Sequence, residues 1–255
     1  MGEPPVLVLA GVFGLVIGSF LNVCIYRLPL GQSLVTPPSR CTKCGYALRW
    51  YDNIPVLSWV SLGGKCRQCR APISAQYPIV ELATALLFVV VAWATPVGPL
   101  LASRLLFVCI LVTLFGIDLE HQILPNSITL PGIVIGLLFS VINPPGLRDA
   151  VIGALLGGGV LYGIAAAYYL VRREEGLGMG DVKMLAMVGA FLGWKQVLVT
   201  LILSSFSGAL VGVALIAMQR GGMRVAMPFG TFLALGAFAA MLAGDPLLAW
   251  YTSFF

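Results

Sequence analysis

The chain has 255 residues, of which 59% are hydrophobic and only 10% are charged, whereas a soluble domain carries roughly 25% charged residues. This composition excludes an ordinary soluble protein and predicts an all-α polytopic membrane protein. The net charge of +5 is assigned to loops that set the topology, and it does not indicate a surface that binds nucleic acid.

Eight apolar stretches predict about eight transmembrane helices. The first, residues 6–25, is about as long as the ~20 residues that a spanning helix needs. No Lys or Arg precedes it, so we interpret it as a retained helix and not as a cleaved signal peptide. The other seven helices are predicted near residues 79–95, 101–117, 128–142, 150–171, 182–193, 197–218 and 227–243.

The basic residues predict how these helices are oriented. Residues 27–78 form a polar insert with seven basic residues and a single acid, Asp52, so the positive-inside rule places this insert in the cytoplasm. With alternating helices, 12 of the 15 basic residues fall on the cytoplasmic side. The outer side receives Arg104, Arg148 and Lys195. Both chain ends are then outside, and the residues that follow 117 and precede 182 are cytoplasmic.

The insert carries two cysteine pairs, Cys41–Cys44 and Cys66–Cys69, in the spacing C-x2-C-x21-C-x2-C. Each pair offers two thiolates on one tight turn, and two such turns complete a tetrahedral zinc site. A redox or disulfide role is the alternative, although a cytoplasmic loop disfavours disulfides. Four cysteine ligands leave no open position on the metal, so its predicted role is structural. Cys24 and Cys109 lie in apolar helices and are interpreted as buried, inert thiols.

Two aspartates stand at the edges of apolar helices, Asp118 at the end of the third and Asp181 at the start of the sixth. A carboxylate there is costly unless it faces a cavity or a partner. Asp181 has a structural alternative, because aspartate is a good helix N-cap. For Asp118 this explanation is weaker, since a negative charge near a helix C-terminus opposes the helix dipole. Both lie on the predicted cytoplasmic side, which suggests an acid pair assembled in space.

Two carboxylates without a metal suit aspartic proteolysis, in which an ionised Asp takes a proton from water while a protonated Asp polarises the scissile carbonyl. Nearby, His121 is interpreted as an interfacial residue, Lys183 as a residue that either biases the charge of the pair or reaches the headgroups, and Glu120 as solvated. The alternatives from other classes are an ion- or proton-coupled transporter with buried acids and a structural scaffold with a zinc loop.

Glycines spaced four apart predict close helix packing. These pairs are Gly14/Gly18, Gly132/Gly136, Gly153/Gly157 and Gly208/Gly212. Nucleotide binding by the run of glycines at 157–159 is excluded, because the Lys-Ser/Thr that should follow a phosphate loop is absent.

Several motifs together resemble the type IV prepilin peptidases, a family of membrane aspartyl proteases with a Gly-x-Gly-Asp signature. The resemblance covers nearly the whole chain. It rests on GMGDVK at 178–183, IDLEHQILPN at 117–126, GSFLNV at 18–23, YRLP at 26–29, DNIP at 52–55, Ser58-Trp59, YPIVEL at 77–82 and PFG at 228–230. Asn126 stands where many members of the family have Asp.

The resemblance implies a bifunctional enzyme of the bacterial inner membrane. Such an enzyme cuts the short basic leader from prepilins and type II secretion pseudopilins at the cytoplasmic face. It then N-methylates the new N-terminal residue with S-adenosylmethionine. The family's catalytic pair maps onto Asp118 and Asp181, and its zinc-linked cysteines map onto Cys41, Cys44, Cys66 and Cys69.

Three segments are expected: a first transmembrane helix (1–26), a zinc-binding loop domain linked to methylation (27–78) and a transmembrane peptidase domain (79–255). No cofactor loop is recognisable. Asn22, Asp52 and Glu81 are polar residues near the insert and are candidates for lining a pocket for the methyl donor. For Asn22 a helix–helix hydrogen bond is an equal alternative.

Overall fold

The computed structural model describes residues 2–174, 178–218 and 227–254, and over these residues the chain is helical, without β-strands. The insert adds one 3-10 turn, Trp50–Asn53, and two isolated β-bridges. The α-helices are α1 (Pro4–Arg27), α2 (Leu57–Ser61), α3 (Gln76–Ala94), α4 (Pro99–His121), α5 (Asn126–Phe139), α6 (Leu147–Arg172), α7 (Met179–Leu192), α8 (Trp194–Met218) and α9 (Phe229–Thr252).

The eight predicted apolar helices correspond to α1 and α3 to α9, so the all-α fold is confirmed, and α2 is an additional short helix of the insert. In the described part of the chain, six helices are long and apolar enough to cross a membrane, namely α1, α3, α4, α6, α8 and α9. The other two, α5 and α7, have 14 residues each, which is about 21 Å of helix against a hydrocarbon core of about 30 Å. The predicted cytoplasmic Arg220 and Arg224 lie outside the described residues.

Two helices, α4 and α9, extend further in the structure than the sequence predicted. α4 continues to His121, so Asp118 lies inside the last turn of the helix and does not end it. α9 continues to Thr252 with Pro246 inside it, whereas the sequence predicted an end near residue 243. The Gly-Asp-Pro triplet at 244–246 resembles a helix stop in sequence, but the apolar residues beyond it extend the helix.

The chain divides into two compact units, Met1–Thr113 and Leu114–Phe255, with the boundary inside α4. These units are defined by how compactly their own residues pack and not by function. The three functional segments expected from the sequence therefore stay a prediction. In the first unit, α1 packs along α3. A Cβ added to Gly14 would lie 2.6 Å from the backbone of Ala85, and one added to Gly18 would lie 2.7 Å from the backbone of Glu81. The close packing predicted for this glycine pair is therefore present.

α7 is the core helix of the second unit. It contacts α5, α6, α8 and α9, and eight of its 14 residues are buried. The approach of α6 is close because Gly153 faces Gly189, while a Cβ on Gly157 would lie 2.5 Å from the Leu185 carbonyl oxygen. The predicted small-residue packing at Gly153 and Gly157 is present. Because four other helices surround α7, it needs no lipid-exposed face. A helix in this position does not have to be long enough to span the hydrocarbon core.

Candidate active site and metal centre

Asp118 is held in the last turn of α4 by a residue from the start of α9. Its side chain is buried, with 4% exposure. The Asp118 Oδ2 atom accepts a hydrogen bond of 2.7 Å from the backbone N–H of Thr231 and one of 3.0 Å from the Thr231 hydroxyl. A carboxylate buried at a helix C-terminus thus has two donors, and hydrogen bonds of this kind favour the ionised form.

Asp181 is the third residue of α7, and its side chain is half-buried. The N-cap of α7 is Gly178, and no side chain caps this end. The alternative in which Asp181 serves as the helix N-cap is therefore wrong. Among the described residues, no hydrogen bond to its carboxylate is present, in contrast to Asp118. Its position in the first turn places it near the positive end of the helix dipole.

The two carboxylates are near enough for their charges to interact. Leu124 packs between the segments that carry them. A Cβ added to Gly180, the residue before Asp181, would lie 2.9 Å from Leu124 Cβ. A Cβ added to Gly230, the residue before Thr231, would lie 2.9 Å from both Asp118 Oδ2 and Leu124 Cδ1. Neither glycine leaves room for a side chain, so both allow the close approach of their segments to the site.

The other polar residues near the pair have partners of their own. The Lys183 Nζ atom donates a hydrogen bond of 2.8 Å to Asn126 Oδ1, which ties the N-terminal part of α7 to the first residue of α5. His121 is exposed at the end of α4, and its Nε2 atom lies 3.7 Å from Glu120 Oε2. The sequence predicted that Lys183 either biases the charge of the pair or reaches the headgroups. The bond to Asn126 gives its side chain a structural function that neither role includes.

The four cysteines of the insert form one cluster, in which all Sγ atoms lie within 4.8 Å of one another. The Sγ atoms of Cys41 and Cys69 are 3.8 Å apart, and those of Cys44 and Cys66 are 3.9 Å apart. A tetrahedral zinc site with Zn–S bonds of about 2.3 Å requires sulfurs roughly 3.8 Å apart. The cluster therefore fits a four-thiolate metal ion.

Each cysteine pair sits in a turn with the same hydrogen-bond pattern. In the first turn the Cys41 N–H donates to Tyr46 O and the Gly45 N–H to Cys41 O. In the second turn the Cys66 N–H donates to Ala71 O and the Arg70 N–H to Cys66 O. Gly45 and Arg70 occupy equivalent positions with φ of 73° and 60°, a conformation that glycine adopts without strain and arginine does not. We call these two turns the first and second knuckle.

Asp52 connects the two knuckles. Its Oδ1 atom accepts a bond of 2.7 Å from Arg67 Nε in the second knuckle, and its Oδ2 atom accepts one of 3.2 Å from the Tyr46 hydroxyl in the first. The Arg49 N–H donates to the same Oδ2 atom. Burial alone would raise the pKa of the Asp52 carboxyl, but the bonds from Arg67, Arg49 and Tyr46 outweigh burial and hold this pKa below its usual range.

Asn22 and Glu81 also bond within the first unit. The Asn22 Nδ2 atom donates to Tyr77 O on α3 (3.0 Å) and to Gly18 O on its own helix (3.2 Å). The Glu81 Oε2 atom accepts a bond of 2.7 Å from the Val56 N–H, and Val56 has a φ of 61° that β-branched residues rarely adopt. The helix–helix bond considered for Asn22 is therefore present, while a cofactor role for Asn22, Asp52 and Glu81 stays a prediction.

Thr231 is a functional candidate that the structure reveals and that no sequence pattern predicted. It follows the Pro228-Phe229-Gly230 motif, which carried part of the resemblance but received no role. Because Thr231 lies 113 residues from Asp118 in sequence, no spacing or periodicity connects them.

Comparisons with known proteins agree over most of the chain. Residues 12–95 match the family model of the bacterial peptidase A24 N-terminal domain, and residues 105–213 match that of the type IV leader peptidase family. Two relatives, from Aeromonas hydrophila and Pseudomonas putida, are each 41% identical to this chain over 95% of it and 92% of their own length. A relative from Myxococcus xanthus is 44% identical over 84% of this chain and 64% of its own length. All three are named prepilin leader peptidase/N-methyltransferase. No solved structure matches the chain.

Proposed function

The chain belongs to the type IV leader peptidase family, and from that premise we propose that it cleaves prepilin leaders and methylates the new N-terminus. The proposal rests on the 41% identity to relatives that carry this name. The observation that supports the peptidase chemistry is the interacting pair Asp118 and Asp181 with unequal hydrogen bonding. The transporter alternative has no support of this kind.

In the proposed mechanism the two aspartates act on one water molecule. Asp118 is the ionised member, because the Thr231 N–H and hydroxyl both donate to its carboxylate. Asp181 is the protonated member, since two neighbouring carboxylates do not both ionise readily. Asp118 takes a proton from water while the water oxygen bonds to the scissile carbonyl carbon, and Asp181 donates its proton to the carbonyl oxygen. When the tetrahedral intermediate collapses, the C–N bond breaks and the leaving nitrogen receives a proton from Asp118. One hydroxyl of the intermediate returns its proton to Asp181 as the C=O bond forms again, so both aspartates regain their starting protonation.

The substrate is a membrane-inserted helix with a short basic leader. We assign the site to the cytoplasmic face of the bacterial inner membrane. The basic insert is predicted to lie on that side, and alternating helices then place Asp118 and Asp181 on the same side. The leader of a prepilin or pseudopilin then stays in the cytoplasm while its apolar helix lies in the bilayer. The six candidate spans support a substrate that reaches the enzyme within the membrane.

Methyl transfer requires S-adenosylmethionine, which would supply a methyl group to the new N-terminal amine. Its S–CH3 bond would break with S-adenosylhomocysteine as the leaving group, and the amine would lose a proton to water. The four cysteines of the insert could hold a metal ion. We propose zinc, because the sulfur spacing matches four Zn–S bonds. Four thiolates leave no position for a substrate. Zinc bound there would therefore stabilise the insert and would take no part in either reaction.

The test is cleavage of a synthetic prepilin by the purified enzyme in detergent. Asp118→Asn and Asp181→Asn are each expected to abolish cleavage while the zinc content stays at the wild-type level. Glu120→Gln is the matched control, because it removes a carboxylate from the same turn of α4 without touching the pair, and it should cleave normally. Both aspartate variants should still methylate a peptide that has been cleaved beforehand. Normal cleavage by either aspartate variant contradicts the mechanism.

A further inference from the structure

A half-open groove of about 480 Å³ runs along the second half of α1. One wall is α1 itself, and the other wall is made of residues from two segments of the insert, 34–39 and 53–55. All of the lining residues belong to the first unit of the chain. Neither the aspartate pair nor the cysteine cluster includes any of them, so this groove, which we call the α1 groove, belongs to neither site.

The α1 groove is about as long as one leaflet of a bilayer is thick. Its lining residues on α1 run from Val16 to Arg27, which are about 16 Å apart along a helix that rises 1.5 Å per residue. Half of a hydrocarbon core of about 30 Å is about 15 Å. Arg27 is the last residue of α1, at the end that is predicted to face the cytoplasm. In a spanning α1 the groove therefore extends from the level of the cytoplasmic headgroups to about the middle of the bilayer.

Exposed apolar side chains line both walls of the groove. Val16 and Phe20 of α1 are 54% and 49% exposed, and Val35 of the insert is 83% exposed. Apolar side chains that are exposed together mark a surface that contacts a partner, a ligand or a membrane. At this depth beside α1, the surroundings that such side chains meet are acyl chains.

The backbone of the insert wall is also compatible with contact to acyl chains. A loop that faces lipid must satisfy its N–H groups within the protein. The N–H groups of Val35 and Thr36 both donate to the Ser33 hydroxyl, at 3.2 and 3.3 Å. The next two residues, Pro37 and Pro38, have no N–H. From residue 35 to residue 38 the wall therefore presents no free N–H group to the groove.

Arg27 places a positive charge at the headgroup end of the groove. It is the one cation among the lining residues, and none of these residues is acidic. Its Nη1 and Nη2 atoms donate bonds of 2.9 and 2.8 Å to Ser33 O and Pro37 O. Both acceptors are neutral, so they do not neutralise the charge. A guanidinium has five N–H donors, which leaves three for an anionic group.

We propose that the α1 groove binds an anionic phospholipid of the cytoplasmic leaflet. The phosphate would pair with Arg27 through charge-assisted hydrogen bonds, and one acyl chain would lie against Val16 and Phe20. A basic site at the cytoplasmic end of a transmembrane helix is a typical headgroup site. The apolar helix of the proposed substrate fits the groove less well, because Arg27 would repel a basic leader. Lipid bound here would join α1 to the insert and would not take part in either proposed reaction.

The experiment is native mass spectrometry of the purified full-length enzyme, titrated with dioleoyl phosphatidylglycerol or dioleoyl phosphatidylcholine. The two lipids share their acyl chains, and only the first has a net negative charge. We expect the wild type to bind one phosphatidylglycerol at least about tenfold more tightly than phosphatidylcholine, the size of a charge-assisted bond. Arg27→Gln should lose this preference. Since Arg27 also anchors the loop, a second variant, Val23→Trp, fills the groove, leaves Arg27 in place and should weaken binding of both lipids about tenfold or more.

Two matched controls separate the groove from general effects of charge and size. Arg40→Gln removes a positive charge from an exposed position of the same insert, and Val12→Trp adds the same side chain to an exposed position of α1. Neither residue lines the groove, so both variants should bind lipid like the wild type. Equal affinity of the wild type for the two lipids overturns the proposal, and so does wild-type lipid binding in Val23→Trp. If Val23→Trp instead raised only the KM for prepilin, the groove would belong to the substrate helix and the proposal would be wrong.

Discussion

The backbone N–H of Thr231 donates a hydrogen bond of 2.7 Å to the Asp118 Oδ2 atom. The Thr231 hydroxyl bonds to the same oxygen, so one residue at the start of α9 orients one of the two proposed catalytic aspartates. Asp181 has no equivalent contact among the described residues. This asymmetry is the physical basis for assigning different roles to the two carboxylates.

Replacing Thr231 should therefore affect the chemical step. Thr231→Val removes the hydroxyl bond but keeps the backbone N–H and the shape of the side chain. A hydrogen bond to a charged group contributes about 1.5–3 kcal/mol, so kcat for prepilin cleavage is expected to fall about tenfold or more, with KM unchanged. Thr231→Ser keeps the hydroxyl and should restore most of the activity. Equal loss in both variants would show that Thr231 acts only through packing.

A substitution at Gly230 tests how closely the start of α9 approaches Asp118 and Leu124. In Gly230→Ala the new Cβ would lie 2.9 Å from both Asp118 Oδ2 and Leu124 Cδ1, a contact that only movement can relieve. Because a small displacement of a catalytic group can cost about a hundredfold in rate, we expect kcat to fall to that extent. Gly163→Ala in α6 is the control, since a Cβ there meets nothing within 4 Å. A fully active Gly230→Ala enzyme would contradict the geometry described here.

We expect one zinc ion per chain, and we expect its binding to require all four clustered cysteines. Cys66→Ser, which removes a buried ligand, is expected to lose the metal and make the insert sensitive to proteases. Elemental analysis of the purified protein measures the first effect and limited proteolysis the second. Cys24→Ser with Cys109→Ser is the matched control, because these thiols lie outside the cluster, and this double variant should retain the metal. Full zinc content in Cys66→Ser would exclude the proposed ligand set.

The lowered pKa of the Asp52 carboxyl predicts that the stability of the insert depends on pH. Its folded-state pKa is held below the ordinary value by its three donors, against the opposing effect of burial. Ionised Asp52 therefore stabilises the fold fully above about pH 4, the ordinary aspartate pKa, and this stabilisation is lost as the pH falls further toward the lowered pKa.

The measurement is the difference in Tm between the wild type and Asp52→Asn. We expect the wild type to be more stable by a constant margin between about pH 5 and pH 8 and the margin to shrink below about pH 4. Both proteins carry the same thiolates, so acid release of the metal largely cancels in this difference. A margin that grows as the pH falls would contradict the described role of Asp52.

The sequence was sufficient to predict features that depend on composition and local spacing. Apolar runs predicted the helices, and the cysteine spacing predicted the cluster that the structure places within 4.8 Å. Features that depend on contacts between distant residues were not predicted. The bond from Thr231 to Asp118 spans 113 residues, and the N–H of strained Val56 is held by Glu81 from 25 residues away. No periodicity encodes either contact, because each arises only when separate helices pack.

The two knuckles of the insert have a consequence for the order of events during synthesis. Each knuckle is closed by its own backbone hydrogen bonds, so the first can form as soon as it leaves the ribosome. The second knuckle begins 25 residues later, at Cys66 after Cys41, which is roughly one to five seconds at 5–20 residues per second. During that interval a metal ion would have only two protein thiolates and would exchange readily. Arrival of the second knuckle would complete the set of four thiolates, and only then does the ribosome deliver α3, the next helix to enter the membrane.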